Sequence, residues 1–562
     1  MYLEISSVKN FAPRVMLLLF VLTLTVPGLF AQNASQSEQS KDEQKSPEYV
    51  YRTTTRLVIL DIVATDSKGK TVTDLKPEEI EILDNGKEQA KVDFSFIHPN
   101  TEKAATQVQM HLPPDVYTNA RQYKDNSSYN IILFDVLNSS FTSMAYAHDE
   151  IMKYLDNAPP NQPTAIYALG NKLWLLHDFT TDHQALKEVI RKFKGQGSQM
   201  VTGEDAEGHK RKSTFQTAGA DHVWTTLDAF KAIARIMGVY KGRKNLIWVS
   251  ESFVVDTMPD IQTARGPLFM TEYSREVEEM SDALMEAQIA IYPIDPAGLT
   301  GEAFRPILSN FSSHSSLREM AAKTGGKAYT NHNDLDIGIR NSIDDGSSYY
   351  TTSYHPTNKT WDGKLRKIEV KSTRPGVTLR YREGYYAVDP SILPGNQKQA
   401  KQTSMDFAEA LDPDMPPSTG VLFQAQVVPP SEKTQNKVIV NFALDPHMIT
   451  FQKQPDGKQH AEVSCIAWAF PVKGKAIGSG GGTMKANVDD ATLNKIMQSA
   501  FPCRQSLTLE PGNYELTLGV IDQLTRKMGT LTAWVTVPGA DEAKAAQPAG
   551  VSDVKRETEK NK

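Results

Sequence analysis

The sequence predicts a multidomain protein in which an α/β domain is combined with all-β domains. A short, wholly apolar run, IILF at residues 131–134, is typical of a central parallel strand that is covered on both faces. Further apolar runs alternate with amphipathic helical segments up to about residue 346, as in the repeated βα units that build a mostly parallel sheet. Beyond that point the helical period stops, and short alternating runs separated by turns indicate strands.

The overall composition sets the broad class of protein. The chain has 562 residues, of which 40% are hydrophobic and 23% are charged. This is an ordinary globular balance, and the length corresponds to about three to four domains. The formal net charge is −6 at pH 7, so the chain lacks the basic footprint of a nucleic-acid-binding protein. We therefore expect no nucleic-acid partner.

Residues 1–31 have the pattern of a signal peptide. Lys9 and Arg14 precede an apolar run at residues 15–26, and Ala31 offers a small residue for cleavage. The run is shorter than the about 20 residues that a membrane-spanning helix needs, and a retained N-terminal anchor is the alternative. Since no later segment has transmembrane character, we expect an exported protein, periplasmic or extracellular, without a mature transmembrane segment.

A small β unit is expected at residues 49–100, after a polar, disordered spacer at residues 32–48. Asp-Asn-Gly at residues 84–86 is a strong hairpin signal. The alternating apolar residues at 92–96 have the period of a half-buried strand. The sequence thus predicts short antiparallel strands ahead of the α/β domain.

The α/β domain is expected at residues 125–346. IILF is the first strand of this domain. It is followed by a hairpin, in which the strands TAIYAL and KLWLL are joined by Gly-Asn, and this hairpin places one antiparallel strand at the sheet edge. Asp182 is a plausible N-cap for the helix DHQALKEVIRKF, and a polar loop at residues 196–221 leads to the amphipathic helix TTLDAFKAIARIMGVY. NLIWVS, IAIYPID and KAYT are the remaining strands, and further helices are expected at about residues 273–288 and 317–323.

The rest of the chain is predicted to be largely all-β. We expect strands at residues 347–390 that complete the N-terminal β unit, a linker at 391–418, a β-sandwich at 419–538 and a disordered tail at 539–562. In YELTLGV of the sandwich, apolar residues recur with a period of two, which places them on one strand face. The glycine-rich segment GSGGGT is interpreted as a flexible hairpin loop.

The chain has two cysteines, Cys465 and Cys503, and both lie in the predicted sandwich. In an oxidising compartment they could pair as a disulfide, or both could remain free thiols. The sequence has no HExxH and no CxxC pattern, so it predicts no zinc site.

Several segments occur in an order that one known family shows. They are DIVATDSKGKTVTDL, IEILDNGK, IILFDVLNSS, LHDFTTD, KGRKNLIWVSESF, IAIYPIDPAGL, LREMAAKTGGKAY and LRYREGYYA, and they cover about residues 56–387. Through them the chain resembles a von Willebrand factor A domain, in the variant termed the VWFA-related domain of acidobacteria. The resemblance implies a Rossmann-like A-type domain, whose parallel sheet has one antiparallel edge strand, flanked by β-sandwich-like domains.

The resemblance also implies a site. In the wider A-domain class, a DxSxS loop, a threonine and a second aspartate hold a divalent cation at the carboxyl ends of the sheet. An acidic group of a partner protein completes the shell of that cation. The matching residues here are Asp135 and Ser139 for the loop, Thr226 or its neighbour Thr225 for the threonine, and Glu251 in place of the second aspartate.

Leu137 makes this a degenerate version of the family's metal-ion-dependent adhesion site. It stands where a coordinating serine is expected, so one oxygen ligand is missing and an apolar side chain enters the loop. Binding of Mg²⁺ or Ca²⁺, which prefer hard oxygen ligands, is therefore one hypothesis. The other is that Asp135 only caps a turn or accepts N–H bonds from its own loop.

We hypothesise an exported, non-enzymatic binding or adhesion-type protein. The loop face, meaning the carboxyl edge of the A-type sheet with Asp135, Ser139, Thr226 and Glu251, would contact an unidentified protein or a cell-surface partner. A structural component of the cell envelope without a specific ligand is the first alternative.

A metal-dependent hydrolase is the second alternative. His177, Asp178, Asp182 and His183 cluster in LHDFTTDH, and with Asp135 or Ser139 they could form an acid–base or nucleophilic set. No GxSxG nucleophile pattern accompanies them. The sequence therefore favours binding over catalysis.

Overall fold

The computed structural model describes most of the chain between residues 57 and 538. The described residues are 57–98, 112–120, 128–193, 220–238, 240–253, 270–297, 307–331, 334–362, 364–387, 397–413, 415–431, 437–471 and 476–538. The predicted signal peptide, spacer and C-terminal tail lie outside these ranges, as does the predicted polar loop up to residue 219. Within them the protein is a mixed α/β structure with one mixed sheet and several antiparallel sheets.

The elements are numbered here in chain order. The strands are β1 Val58–Thr65, β2 Ile80–Asp84, β3 Lys87–Glu88, β4 Lys91–Ile97, β5 Val116–Thr118, β6 Ser128–Asp135, β7 Thr164–Leu169, β8 Leu173–Thr180, β9 Arg243–Val249, β10 Ile289–Ile294, β11 Tyr349–Tyr354, β12 Leu365–Ser372, β13 Thr378–Arg380, β14 Gly384–Tyr386, β15 Phe423–Val428, β16 Lys437–Leu444, β17 Gln452–Lys453, β18 Gln459–Pro471, β19 Gly478–Val488, β20 Phe501–Thr508, β21 Gly512–Asp522 and β22 Met528–Val537. The helices are α1 Phe141–Asp156, α2 His183–Phe193, α3 Ala220–Ile236, α4 Met270–Glu286, α5 Ile307–Thr324, α6 Leu335–Ser347, α7 Gln397–Ala410 and α8 Asp490–Met497.

The mixed sheet has the strand order β10-β9-β6-β7-β8. Its strands are parallel except β8, which runs antiparallel to β7 at one edge. Every residue of β6 is buried. Ile131 and Leu133 pack in the cluster with α3, α4 and α5, whereas Ile132 and Phe134 pack on the opposite face with α1, α2 and α6. Burial on both faces explains why this strand is apolar at every position rather than at every second one.

Helices α1 and α6 were not recognised in the sequence. Both cover the same face of the mixed sheet, and α1 places Ala147, Ile151 and Leu155 against it. Polar residues interrupt this apolar stripe, because His148 and Glu150 are also buried in α1. The helical period is therefore weaker in the sequence than the packing of the helix would suggest.

Two other segments differ from the prediction. KAYT is not a strand, since it contributes a single parallel bridge from Tyr329 to Ile294. The segment expected to be a linker at 391–418 contains α7, whose Phe407 and the adjoining Leu411 pack on the sandwich. These contacts depend on a glycine, because a Cβ at Gly519 would lie 2.6 Å from a Leu411 methyl carbon.

The strands on either side of the α/β region pair with each other. β11 lies between β1 and β4, and β12 pairs with β2, all antiparallel. Leu60, Ile62, Tyr350 and Ile368 are among the buried residues of their shared core. The α/β region is thus inserted between strands of one β module.

The C-terminal region is built from two antiparallel sheets, β20-β16-β15-β5 and β17-β18-β21-β22, with β19 paired to β18. As its period of two predicted, the YELTLGV strand directs Tyr514, Leu516, Leu518 and Val520 into the core between them. The prediction that GSGGGT is a hairpin loop is wrong, because this segment begins strand β19. There, a Cβ at Gly480 would lie 2.5 Å from the Ser506 carbonyl oxygen, so glycine lets β19 approach β20.

Strand β5 was missed in the sequence. It pairs with β15 although about three hundred residues separate the two strands, as in the hydrogen bond from Thr118 to the Phe423 carbonyl at a separation of 305. Across the described ranges, no helix is both long and apolar enough to span a membrane.

Candidate functional site

The four residues predicted to form the loop face come together at the carboxyl edge of the mixed sheet. Asp135 ends β6, Glu251 follows β9, Ser139 precedes α1 and Thr226 lies in the first half of α3. Because β6 and β9 are parallel neighbours, their carboxyl ends open onto the same crevice. The topology therefore assembles a polar cluster from residues that are far apart in the chain.

The carboxylate of Asp135 is surrounded by hydrogen-bond donors. It is fully buried. Its Oδ1 accepts from the backbone N–H of Asn138 at 3.0 Å and from the Asn138 amide at 3.1 Å. Its Oδ2 accepts from the same amide at 2.8 Å, from the indole N–H of Trp248 at 2.9 Å and from the hydroxyl of Ser250 at 2.8 Å. Asp135 thus accepts N–H bonds from its own loop, as the second hypothesis for this residue describes.

Burial raises the pKa of the Asp135 carboxyl above its ordinary value, while hydrogen bonds from Asn138, Ser250 and Trp248 act in the opposite direction. These two opposing effects on the pKa of Asp135 have one cause. A carboxylate removed from water loses its hydration, and neutral donors replace part of it. The donors named here are uncharged, so they hold the group by hydrogen bonding rather than by ion pairing.

Asn138 links this carboxylate to α3. Its amide nitrogen lies 2.9 Å from the hydroxyl oxygen of Thr226. That hydroxyl donates to the carbonyl of His222 at 2.8 Å, so its oxygen is the acceptor of the amide N–H. The sequence did not indicate Asn138 as a member of this polar cluster, because it occupies a variable position of the DxSxS pattern. A polar residue three positions after a strand-end aspartate was the available signal.

Ser139 and Glu251 tie two loops to each other. The Ser139 hydroxyl oxygen accepts from the backbone N–H of Glu251 at 2.9 Å, and the Glu251 carboxylate accepts from the backbone N–H of Ser140 at 2.7 Å. The backbone N–H of Ser252 donates to the carbonyl of Asn138 at 3.2 Å. These contacts fix the loop after β6 against the loop after β9.

Leu137 anchors the loop instead of supplying an oxygen. Its side chain is partly buried against the core cluster that contains Trp248. Its backbone N–H donates to the carbonyl of Leu169 at the end of β7, at 3.0 Å. The apolar residue that makes the pattern degenerate is therefore used for packing.

This arrangement does not fit Mg²⁺ or Ca²⁺. Either ion would need oxygen lone pairs directed at a common point, but the lone pairs of Asp135 and Thr226 accept hydrogen bonds from Asn138. Over the described part of the chain, no group of three or more His, Cys, Asp or Glu side chains could hold a metal. Cation binding by Asp135, Ser139, Thr226 and Glu251 thus stays a prediction from the resemblance, and internal hydrogen bonds account for these side chains.

The histidine and aspartate cluster considered for catalysis lies at the other end of the sheet. Thr180, the last residue of β8, pairs with the first residue of β7, at the amino edge of the parallel strands. Asp182 caps α2, as predicted, by accepting N–H bonds at 2.9 and 3.2 Å from its first turn. His177 Nδ1 lies 2.6 Å from the carbonyl of Asp178. The structure does not bring this cluster to Asp135.

A second buried polar pair lies at the carboxyl edge. Asp295 follows β10, and its Oδ2 is 2.8 Å from Nε2 of His314 in α5. The neighbouring Ser313 hydroxyl accepts from the backbone N–H of Phe253 at 3.1 Å. These bonds join α5 to the ends of β9 and β10, and they extend the hydrogen-bonded frame beneath the loop face.

Phe141 projects beside the loop face. It is the first residue of α1, and at 78% exposure it is the most exposed large hydrophobic side chain in the described chain. Ser140 caps the helix by accepting the backbone N–H of Ser143 at 3.2 Å. The aromatic ring is thus carried by a fixed helix start, directly after the residue that contacts Glu251.

No protein-family model and no curated protein matches this chain. Among solved structures, a von Willebrand factor type A protein from Catenulispora acidiphila is 11% identical with a TM-score of 0.22, over 81% of this chain and 76% of that chain. The conserved hypothetical protein BatB from Bacteroides thetaiotaomicron is 14% identical with a TM-score of 0.23, over 38% and 97%. Three N-terminal domains of the type V pili tip protein Mfa5 from Porphyromonas gingivalis are 10% identical with a TM-score of 0.24, over 63% and 75%. At these TM-scores the likeness carries no weight for function.

Proposed function

We propose that this protein is an exported, non-enzymatic binding protein of the adhesion type. Its α/β region is an A-type domain, and the loop face of that domain contacts another protein. The observation that carries the proposal is the hydrogen-bonded frame at the loop face, where Ser139 and Glu251 lock two loops together beside the exposed ring of Phe141. The exported location rests on the N-terminal sequence pattern.

The locked loops favour binding because they are already ordered. Association loses affinity when loops and side chains must be fixed on contact. Here the loop after β6 is held by the loop after β9 and by Asn138, which joins Asp135 to Thr226. A partner would therefore meet a surface whose shape exists before contact.

Phe141 supplies the apolar anchor of the proposed contact. Aromatic residues are enriched among the few side chains that dominate binding energy. A single exposed apolar side chain is common on protein surfaces, but this one lies next to a carboxylate, because its neighbour Ser140 donates its N–H to Glu251. The matching partner surface would have an apolar pocket with a basic group at its rim.

The positions of the acid–base residues support a non-enzymatic role. A hydrolase needs a nucleophile and a base within hydrogen-bond reach. In the described residues, the His177 to His183 segment ends at the amino edge of the sheet, whereas Asp135 lies at the carboxyl edge. Asp135 is also enclosed by donors rather than open to a substrate.

Replacing the exposed aromatic residue tests the proposal. Purified Phe141→Ser protein should retain surface proteins of the source organism at least about tenfold less strongly than the wild type, since a central anchor is lost. Quantitative mass spectrometry of the proteins retained on immobilised wild type and variant measures this. Met405→Ser is the matched control, because Met405 is an exposed apolar residue of α7, a helix that supplies none of the four loop-face residues.

Two outcomes would count against the proposal. If the same proteins are retained equally by wild type, Phe141→Ser and Met405→Ser, the contact surface lies elsewhere. If none is retained above a blank support, a structural envelope component without a specific ligand is the better description.

A further inference from the structure

We infer that the side-chain amide of Asn138 stands in the position of a divalent cation, so that the loop face is held together without a metal ion. The amide nitrogen is within hydrogen-bond distance of three oxygen atoms from two separate elements. It lies 3.1 and 2.8 Å from the two carboxylate oxygens of Asp135 and 2.9 Å from the hydroxyl oxygen of Thr226. It therefore joins the same residues that a cation of the A-domain class would join.

The Asn138 amide and a divalent cation both present positive charge to the oxygen atoms of Asp135 and Thr226. An amide NH₂ offers two N–H donors and carries partial positive charge, as a cation carries full charge. Mg²⁺ binds oxygen at 2.0–2.1 Å and Ca²⁺ at 2.3–2.6 Å, so an ion bound by both Asp135 and Thr226 would need the space between their oxygen atoms. The nitrogen of Asn138 occupies that space, at 2.8 Å from Asp135 Oδ2 and 2.9 Å from the Thr226 hydroxyl oxygen. The two occupants exclude each other.

Other bonds hold the carboxylate in the orientation that suits the amide. Trp248 is fully buried and its indole N–H can only donate, and it donates to Oδ2 of Asp135 together with Ser250. Turning the carboxylate toward a metal would leave the Trp248 N–H buried without its acceptor. Buried donors are rarely left in that state.

The backbone of Asn138 is held as well. Its N–H donates to Asp135 Oδ1, and its carbonyl accepts from the backbone N–H and the hydroxyl of Ser252, both at 3.2 Å. Leu137, the preceding residue, is fixed by packing in the core. The amide is thus positioned by the bonds to Asp135 and Ser252 and by the packing of Leu137.

An isosteric substitution tests the inference. Asn138→Asp replaces the amide by a carboxylate of the same shape that faces Asp135, so repulsion between the two should lower the melting temperature in EDTA by several degrees. Mg²⁺, Ca²⁺ or Mn²⁺ should restore it by binding between the two carboxylates. Wild type should show the same melting temperature with EDTA and with each ion, and no saturable heat in calorimetric titration. Asn157→Asp, at the C-terminal cap of α1, is the matched control and should show no response to cations.

Either of two results would overturn the inference. One is a saturable cation titration of the wild type that is lost in Asp135→Ala. The other is an Asn138→Asp protein whose melting does not respond to any of the three ions, whether or not it is destabilised. These measurements need no binding partner, so a result that contradicts the inference about Asn138 can be told apart from one that contradicts the proposed function. If the inference stands, partner binding should survive EDTA; this last expectation rests on the proposed function.

Discussion

At the scale of single residues, the sequence indicated the aspartate at the end of β6 but not Asn138, which donates hydrogen bonds to its carboxylate. Asp135 was visible because a carboxylate follows four apolar residues. Asn138 was not, because its role depends on the side-chain oxygen of Thr226, which α3 brings from elsewhere in the chain. The identity of a buried acceptor can be read from a strand, but its donors come from tertiary contacts.

A surface cluster provides a pH prediction at this scale. Arg374 donates to both carboxylate oxygens of Glu79, at 2.8 and 2.6 Å, and to Asp74 at 2.6 Å. The hydrogen bonds from Arg374, followed by that from the Lys76 backbone, lower the pKa of Glu79 from its ordinary 4.5 to about 2. A lowered carboxyl pKa means that the folded state favours the ionised form. The stabilisation is therefore complete above about pH 4.5 and is lost as the pH falls toward 2.

Glu79→Gln should therefore be less stable than the wild type near pH 6, and the difference should shrink between pH 4.5 and pH 2. Glutamine keeps the size of the side chain but cannot ionise. Thermal melting of both proteins at several pH values, in the same salt concentration, measures the difference. A gap that stays constant across this pH range would mean that the ionised pair with Arg374 is not its source.

At the scale of elements, apolar runs identified the strands of the mixed sheet more reliably than its helices. β6, β7, β9 and β10 are buried at every position, so their composition alone marks them. Few of the α7 side chains that the structure describes, at residues 403–410, are buried, and Phe407 and Ala410 pack against a sheet that is remote in sequence. Such a segment has no strong helical period of its own, so its sequence has the pattern of a linker.

The packing of α6 on β9 gives a sharp prediction for one glycine. A Cβ at Gly346 would lie 1.7 Å from Oδ1 of Asn245. The Asn245 side chain is fully buried, and its amide nitrogen donates to Oδ1 of Asn130 at 2.9 Å. Gly346→Ala should therefore lower the free energy of unfolding by about 1–3 kcal/mol, as overpacking in a core does. Gly482→Ala is the control, because the nearest atom to its Cβ is 3.6 Å away. Urea unfolding measures both, and equal stability of the two variants would show that the helix can shift without cost.

At the scale of the whole molecule, pairing between distant segments was the least predictable feature. β5 supplies an edge strand to the C-terminal region from before the α/β region. The backbone N–H of Thr419 also donates to the carbonyl of Arg235 at the end of α3, at 3.2 Å. Local sequence patterns report which face of a strand is buried but not which strand lies beside it, so the sandwich was predicted without this strand.

Each of the two sheets of the C-terminal region carries one cysteine. Cys465 lies in β18 and Cys503 in β20, and both are free thiols that pack in the core between the sheets. The interaction between the two thiols raises the pKa of Cys465 and lowers that of Cys503. Cys503 is half-buried and Cys465 is buried, so Cys503 is the thiol that a small oxidant would reach first. The disulfide, which the sequence allows as an alternative to two free thiols, would therefore form through attack by the Cys503 thiolate on an external disulfide.

We predict that oxidised glutathione converts the folded protein to an intramolecular Cys465–Cys503 disulfide. Cys503 first forms a mixed disulfide and releases one glutathione thiol, and Cys465 then displaces the second glutathione as its thiol. A cross-link between the sheets should raise the free energy of unfolding by about 2–4 kcal/mol. Thiol counting and thermal melting before and after oxidation measure both effects, and dithiothreitol should reverse them. Cys503→Ser, which retains a hydrogen-bonding group of similar size, should show no gain. If the folded wild type keeps two free thiols while the urea-unfolded chain is oxidised, the sandwich holds the sulfur atoms in an orientation that cannot be bridged.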